Sequence, residues 1–219
     1  MGDRITFDCP DGSQAAGYLA PSEGMRAGIV VIQEWWGLNP QICDVADRFA
    51  EAGYMALAPD LYEGRVTQDP DEANHMMTGL DWVGATTVEV AGAVNLLKAH
   101  LPRVAVMGFC MGGALTVIAG AKLDQCDAAV CYYGIPPADQ ADPADMKVPF
   151  QGHFATRDDW CTPEAVDALE AALDRTSVTH EIHRYNAEHA FFNETVAPYD
   201  EDAAALSWKR TLHFLNEHL

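Results

Sequence analysis

The stretch that most constrains this chain is Val104-Ala-Val-Met-Gly-Phe-Cys-Met-Gly-Gly-Ala114, an apolar β-type run that stops at Gly108 and restarts as a small-residue helix after Gly112. Its centre is Cys110. Gly108 to Gly113 reads G-x-C-x-G-G, with glycines two before and two after the cysteine. A sharp strand-to-helix turn needs such neighbours, because a Cβ there would collide with the adjoining strand and helix. The turn would hold the cysteine up at the end of a sheet, where a nucleophile belongs. A buried free cysteine in a glycine-flanked turn is the alternative reading of the same stretch.

The surrounding pattern is that of an α/β protein. Ala27 to Ile32 and Tyr54 to Ala58 are continuous apolar runs, as strands buried on both faces require. Ala128–Tyr133, Val148–Phe154 and Val178–Tyr185 read as further strands, and Ile5–Phe7 and Ala15–Leu19 flank Pro10-Asp-Gly-Ser13 as an opening hairpin. Helices are expected between them. Asn39 caps one that starts at Pro40, buries Ile42, Val45, Ala46, Phe49 and Ala50, and ends at Gly53. Asp69-Pro70 starts a second, running through Met76 and Met77 toward Leu80; Val83–His100 and Thr162–Arg175 are others. A last helix is expected to face the core with Ala205, Trp208, Leu212, Leu215 and Leu219. Strands alternating with helices predict a doubly wound, mostly parallel sheet with helices on both faces, in a single domain spanning residues 1–219. Ligands then bind at the carboxyl ends of the strands.

Composition narrows the function. With 33 acidic residues against 13 basic, the net charge of −20 opposes binding to nucleic acid, which needs a basic surface. The excess is spread along the chain, as a solvated surface would be, and only four lysines are present, which suggests adaptation to salt. Six cysteines without a C-x-x-C pair read as reduced thiols, not as a disulfide framework or a zinc site. No run of 18 apolar residues points to a membrane span. We therefore expect a cytoplasmic monomer that acts on a small molecule, with no cofactor, metal, membrane or nucleic-acid partner.

The cysteine turn resembles the nucleophile elbow of α/β-hydrolases, whose triads run nucleophile, acid, histidine along the chain. This sequence offers that order. Asp158 and Asp159 follow the strand ending at Phe154, and either could be the acid. His189 follows the strand ending at Tyr185. Oxyanion-hole amides in this fold come from the residue after the nucleophile and from the loop after the strand preceding the first major helix, here Met111 and Trp35. Glu34, beside Trp35, is either a solvated loop charge or a carboxylate close enough to influence the ionisation of Cys110.

The combination Gln33-Glu-Trp-Trp-Gly-Leu-Asn39, Ala58-Pro-Asp-Leu-Tyr62, Gly108-Phe-Cys-Met-Gly-Gly113, Tyr132-Tyr-Gly134, Asp158-Asp-Trp160 and Glu188-His-Ala-Phe191 resembles the dienelactone hydrolase (carboxymethylenebutenolidase) family. The resemblance spans nearly the whole chain. It implies Cys110 as nucleophile, His189 as base, Asp158 rather than Asp159 as its orienter, and Glu34 as a carboxylate that contacts the resting cysteine and moves aside when substrate binds. It also implies two arginines for the substrate carboxylate, one before the long helix and one four residues beyond the histidine. Here residues 66–100 contain no arginine and position 193 is Asn. A neutral lactone or activated ester is thus expected rather than a dianionic dienelactone. Trp36, Met76, Phe191 and Asn193 are expected at the substrate pocket, with Trp35, Met77 and Phe192 as further apolar wall. Two other readings stand beside this one: a broad carboxylesterase or thioesterase, and a non-catalytic thiol protein for binding or redox sensing on the same fold.

Overall fold

The computed structural model describes residues 1–24 and 26–219. Strands β1 (Asp3–Asp8) and β2 (Gln14–Ala20) form the expected antiparallel hairpin, and β2 pairs antiparallel with β4 (Met55–Pro59). All later pairings are parallel. They join β3 (Gly28–Ile32), β5 (Val104–Phe109), β6 (Ala128–Tyr132), β7 (Phe150–Arg157) and β8 (His180–Glu188) in the order β1-β2-β4-β3-β5-β6-β7-β8. β3, β5 and β6 are buried along their whole length, which is why their sequences do not alternate.

The two faces carry separate cores. Helices α1 (Pro40–Glu51) and, near the carboxyl terminus, Glu201–His218 cover one, where Phe49 packs at 4.6 Å between ring centroids against Trp208. The other core is centred on Met111–Lys122, a helix buried on every side from Met111 to Ala121. A helix with no polar stripe can only be an interior one. Numbered in chain order, the helices between are α2 (Pro70–Gly79), α3 (Trp82–Ala85) and α4 (Ala91–Lys98); Met111–Lys122 is α5, α6 is Pro163–Leu173, and Glu201–His218 is α7. Asn39 Oδ1 accepts from the Ile42 amide and Asp69 Oδ1 from those of Asp71 and Glu72, so both predicted caps are formed.

Three expectations need correction. The run read as one helix, Val83–His100, contains a π-helical segment at Thr86–Val90 between α3 and α4. The Thr86 and Thr87 hydroxyls donate to the carbonyls of Trp82 and Val83, both at 2.8 Å, a back-bonding that disturbs regular helix. β7 and β8 run three residues beyond Phe154 and Tyr185, so Asn186, Ala187 and Glu188 are strand, not loop. Finally, α7 buries Ala203, Ala204, Ser207, Thr211, Phe214 and Leu215; Ala205 is exposed, and Trp208 and Leu212 are only half-buried. Its core face is partly polar because Thr211 Oγ1 lies 2.7 Å from the Tyr132 hydroxyl and 3.1 Å from His153 Nε2. A hydrophobic stripe cannot locate such a face.

Candidate active site

Cys110 sits between β5 and α5 with φ +55° and ψ −118°, a conformation costly for a residue with a side chain. Neighbouring backbone holds it there. A Cβ on Gly112 would come within 2.5 Å of the carbonyl oxygens of Ile32 and Gln33, and one on Gly108 would strike the Gly112 carbonyl. The glycines therefore let α5 start against the end of β3. That contact brings the Glu34–Gly37 turn, closed by the Gly37 amide donating to the Glu34 carbonyl at 3.3 Å, alongside Cys110. The backbone amides of Met111 and Trp35 are close enough to the Cys110 sulfur to favour its ionised form.

His189 follows β8 directly. Its Nδ1 lies 2.7 Å from Asp158 Oδ2, while Asp158 Oδ1 accepts from the amides of Trp160 at 2.8 Å and Cys161 at 2.9 Å. Burial works to raise the Asp158 pKa, but His189 and these amides outweigh it and hold it below the usual carboxylate value. An ionised carboxylate can only accept, so the His189 proton resides on Nδ1 and Nε2 is free to take another. Asp159 is exposed and makes no such contact. Of the two aspartates, Asp158 is the one that contacts His189. The imidazole is flanked by the rings of Tyr133 and Trp160, at centroid distances of 5.1 and 5.2 Å.

Glu34 is not a solvated charge. It is 2% exposed, accepting from Asn193 Nδ2 at 2.6 Å and from the Tyr133 hydroxyl at 3.2 Å. Burial raises its pKa, against those two hydrogen bonds. Asn193 is itself fixed, since Thr195 donates to its Oδ1 from both amide (3.0 Å) and hydroxyl (2.6 Å). Burial and, next, the Glu34 charge push the Cys110 thiol well above its ordinary pKa.

These groups meet at a cavity of about 370 Å³ at the carboxyl end of the sheet, with Glu34, Cys110 and His189 in its lining. The rest of its wall is mostly apolar, including Trp35, Trp36, Met77, Trp160 and Val196. No lysine or arginine of the described residues lines it. Trp36 lines this cavity, whereas Met76, Phe191 and Phe192 do not. Met76 turns into the core, and Met77, one helical position on, faces the cavity. At Ala190 the chain turns with φ +64°, which leaves Ala190 in the cavity wall and buries Phe191 against Tyr133 and Tyr185 and Phe192 against Phe109. Asn193 stands behind Glu34 rather than at the surface of the cavity. Tyr133 and Trp160 were given no role from sequence, although both lie in the quoted motifs; only the folded geometry brings them to His189.

A mostly parallel eight-stranded sheet with its nucleophile-type turn after the central strand defines an α/β-hydrolase fold. The sequence profile of the dienelactone hydrolase family matches residues 15–219, and the chain belongs to that family. Protein usf of Aquifex pyrophilus is 33% identical over the full length of both chains. A relative from Aquifex aeolicus, provisionally named a carboxymethylenebutenolidase, is 28% identical, again over all of both chains. Among solved structures, one described as a provisional dienelactone hydrolase from Klebsiella pneumoniae superposes with a TM-score of 0.86 at 26% identity, covering 100% of each chain. The protein is a carboxylic ester or lactone hydrolase. No helix of the described residues is long and apolar enough to cross a membrane.

Proposed function

We propose that the chain hydrolyses a neutral lactone or activated ester through a thioester on Cys110. The convergence of Cys110, two backbone amides and the His189–Asp158 pair on one cavity supports this reading more than any single residue does. His189 Nε2 takes the thiol proton, and the sulfur attacks the carbonyl carbon. The developing oxyanion is received by the amides of Trp35 and Met111, donors that typically contribute about 3–4 kcal/mol each. The C–O bond breaks as the protonated imidazole returns its proton to the leaving oxygen, leaving the acyl group on sulfur. Water, deprotonated by His189, then releases the acid. Glu34 keeps the resting thiol neutral and protects it from indiscriminate reaction.

An apolar wall without a cation argues for a neutral acyl group, because a buried carboxylate there would go unpaired. The test is a pair of aryl esters that differ only in a carboxylate on the acyl side. The neutral member should have the higher kcat/KM by roughly tenfold or more, and Cys110→Ala should abolish turnover of both. A preference for the anionic ester, or activity that survives loss of Cys110, would overturn the proposal.

A further inference from the structure

A second depression, of about 550 Å³, shares His189, Trp160 and Pro198 with the first and is otherwise lined by different residues. Its chemistry is different. Arg157, Asp159 and Glu188, all exposed, supply its free charges, the buried Asp158 beside them being taken up by His189 and two amides, and Trp160, which lines both spaces, has 41% of its surface open. Arg157 Nη1 donates to Asn186 Oδ1 at 3.2 Å, while its Nη2 is 4.0 Å from Glu188 Oε1, an ion pair too loose to occupy either group fully. Asp159 has no ion pair among the described residues.

Resting on the hydrolase reading above, we infer that this depression is the leaving-group subsite and that it takes a polyhydroxylated alcohol, such as a polyol or sugar, esterified to the apolar acyl group held in the first cavity. His189 borders both spaces, which is where the group that protonates the leaving oxygen must stand. Trp35 lines only the apolar cavity, which suits an acyl chain, and leaves the polar depression for the alkoxy half. A guanidinium offers donors only and two carboxylates offer acceptors only; hydroxyl groups satisfy both kinds at once. An anionic leaving group would meet Asp159 and Glu188, and a purely apolar one would desolvate all three charges. The open Trp160 ring provides a flat face of the kind on which the C–H face of a sugar packs.

The test uses esters of one apolar acid: glyceryl, propyl, 3-carboxypropyl and p-nitrophenyl. The deacylation step is common to all, so differences in kcat/KM report the leaving-group side. Glyceryl should exceed propyl roughly tenfold, with 3-carboxypropyl below both. Arg157→Ala and, separately, Glu188→Gln should bring the glyceryl-to-propyl ratio toward one, a readout in which any general loss of activity cancels. Glycerol should also capture the acyl-enzyme in preference to propanol, by the same subsite used in reverse. A wild-type ratio near or below one, or a ratio that neither variant changes, would overturn the subsite while turnover of the p-nitrophenyl ester left the hydrolase reading standing. No turnover of any of the four would overturn both.

Discussion

At the scale of single residues, the site pairs a thiol of raised pKa with a buried carboxylate. Glu34 raises the Cys110 pKa through its charge and holds its place through two neutral donors, Asn193 and Tyr133. Glu34→Gln removes the charge, keeps one acceptor oxygen for Asn193, and turns its NH2 toward the Tyr133 hydroxyl oxygen, which can accept. The pH at which iodoacetamide alkylates Cys110 should therefore move down in that variant, and an unchanged or upward shift would show that the carboxylate is not ionised near the sulfur. Asp158→Asn should lower kcat by about 100-fold or more, because the imidazole loses the acceptor that fixes its tautomer. Cys110, Asp158 and His189 are candidates in the sequence because their types come in hydrolase order after apolar strand runs; the pattern alone misses the strand ends by three residues at β7 and β8 and does not separate Asp158 from Asp159. The placement of Met76 and Phe191 could not be read. Which of two adjacent apolar residues faces a cavity depends on helix phase at Met76 and Met77, and on the positive φ of Ala190 before Phe191.

At the scale of elements, the strand–turn–helix around Cys110 is the part under most steric demand. Gly112→Ala places a methyl group against two carbonyl oxygens at 2.5 Å, and backbone cannot yield as a side chain can. We expect a loss of stability at the upper end of, or beyond, the roughly 1–3 kcal/mol typical of overpacking, read as a lower denaturant midpoint at an unchanged slope. Loss of activity with full stability would instead mean that the turn relaxes locally. Most elements could be read from apolar runs and caps such as Asn39-Pro40 and Asp69-Pro70. The π-helical segment and the true face of α7 could not, because they depend on where the Thr86, Thr87, Ser207 and Thr211 hydroxyls find partners, and those partners are tertiary or conformational facts.

At the scale of the whole molecule, two charge effects should be visible in stability. His153 is fully buried, with Nδ1 2.7 Å from the Tyr185 hydroxyl and Nε2 2.9 Å from Gln151 Oε1, and burial followed by the His183 and Arg210 charges holds its pKa well below 6.5. The unfolded chain takes up that proton near pH 6.5 and the folded one does not. Its contribution is thus fully present above pH 6.5 and is lost as pH falls below it, at up to about 1.4 kcal/mol per pH unit for one proton. Half-buried His183, also lowered, acts in the same direction. His153→Gln should flatten the dependence measured by urea unfolding between roughly pH 7 and 5; an unaltered slope would place the proton elsewhere. The net charge of −20 repels itself, so the unfolding temperature should rise with sodium chloride as screening sets in.

The central claim is that an acyl group passes through the sulfur of Cys110. It is tested most directly by intact-protein mass spectrometry seconds after mixing with a neutral p-nitrophenyl ester. Acid-quenched wild type should carry one acyl mass, removable by hydroxylamine and mapped to Cys110, while His189→Ala, which lacks the base for the thiol proton, and Cys110→Ala both stay unlabelled. Turnover by Cys110→Ala, or an acyl group mapped to any other residue, would contradict the account.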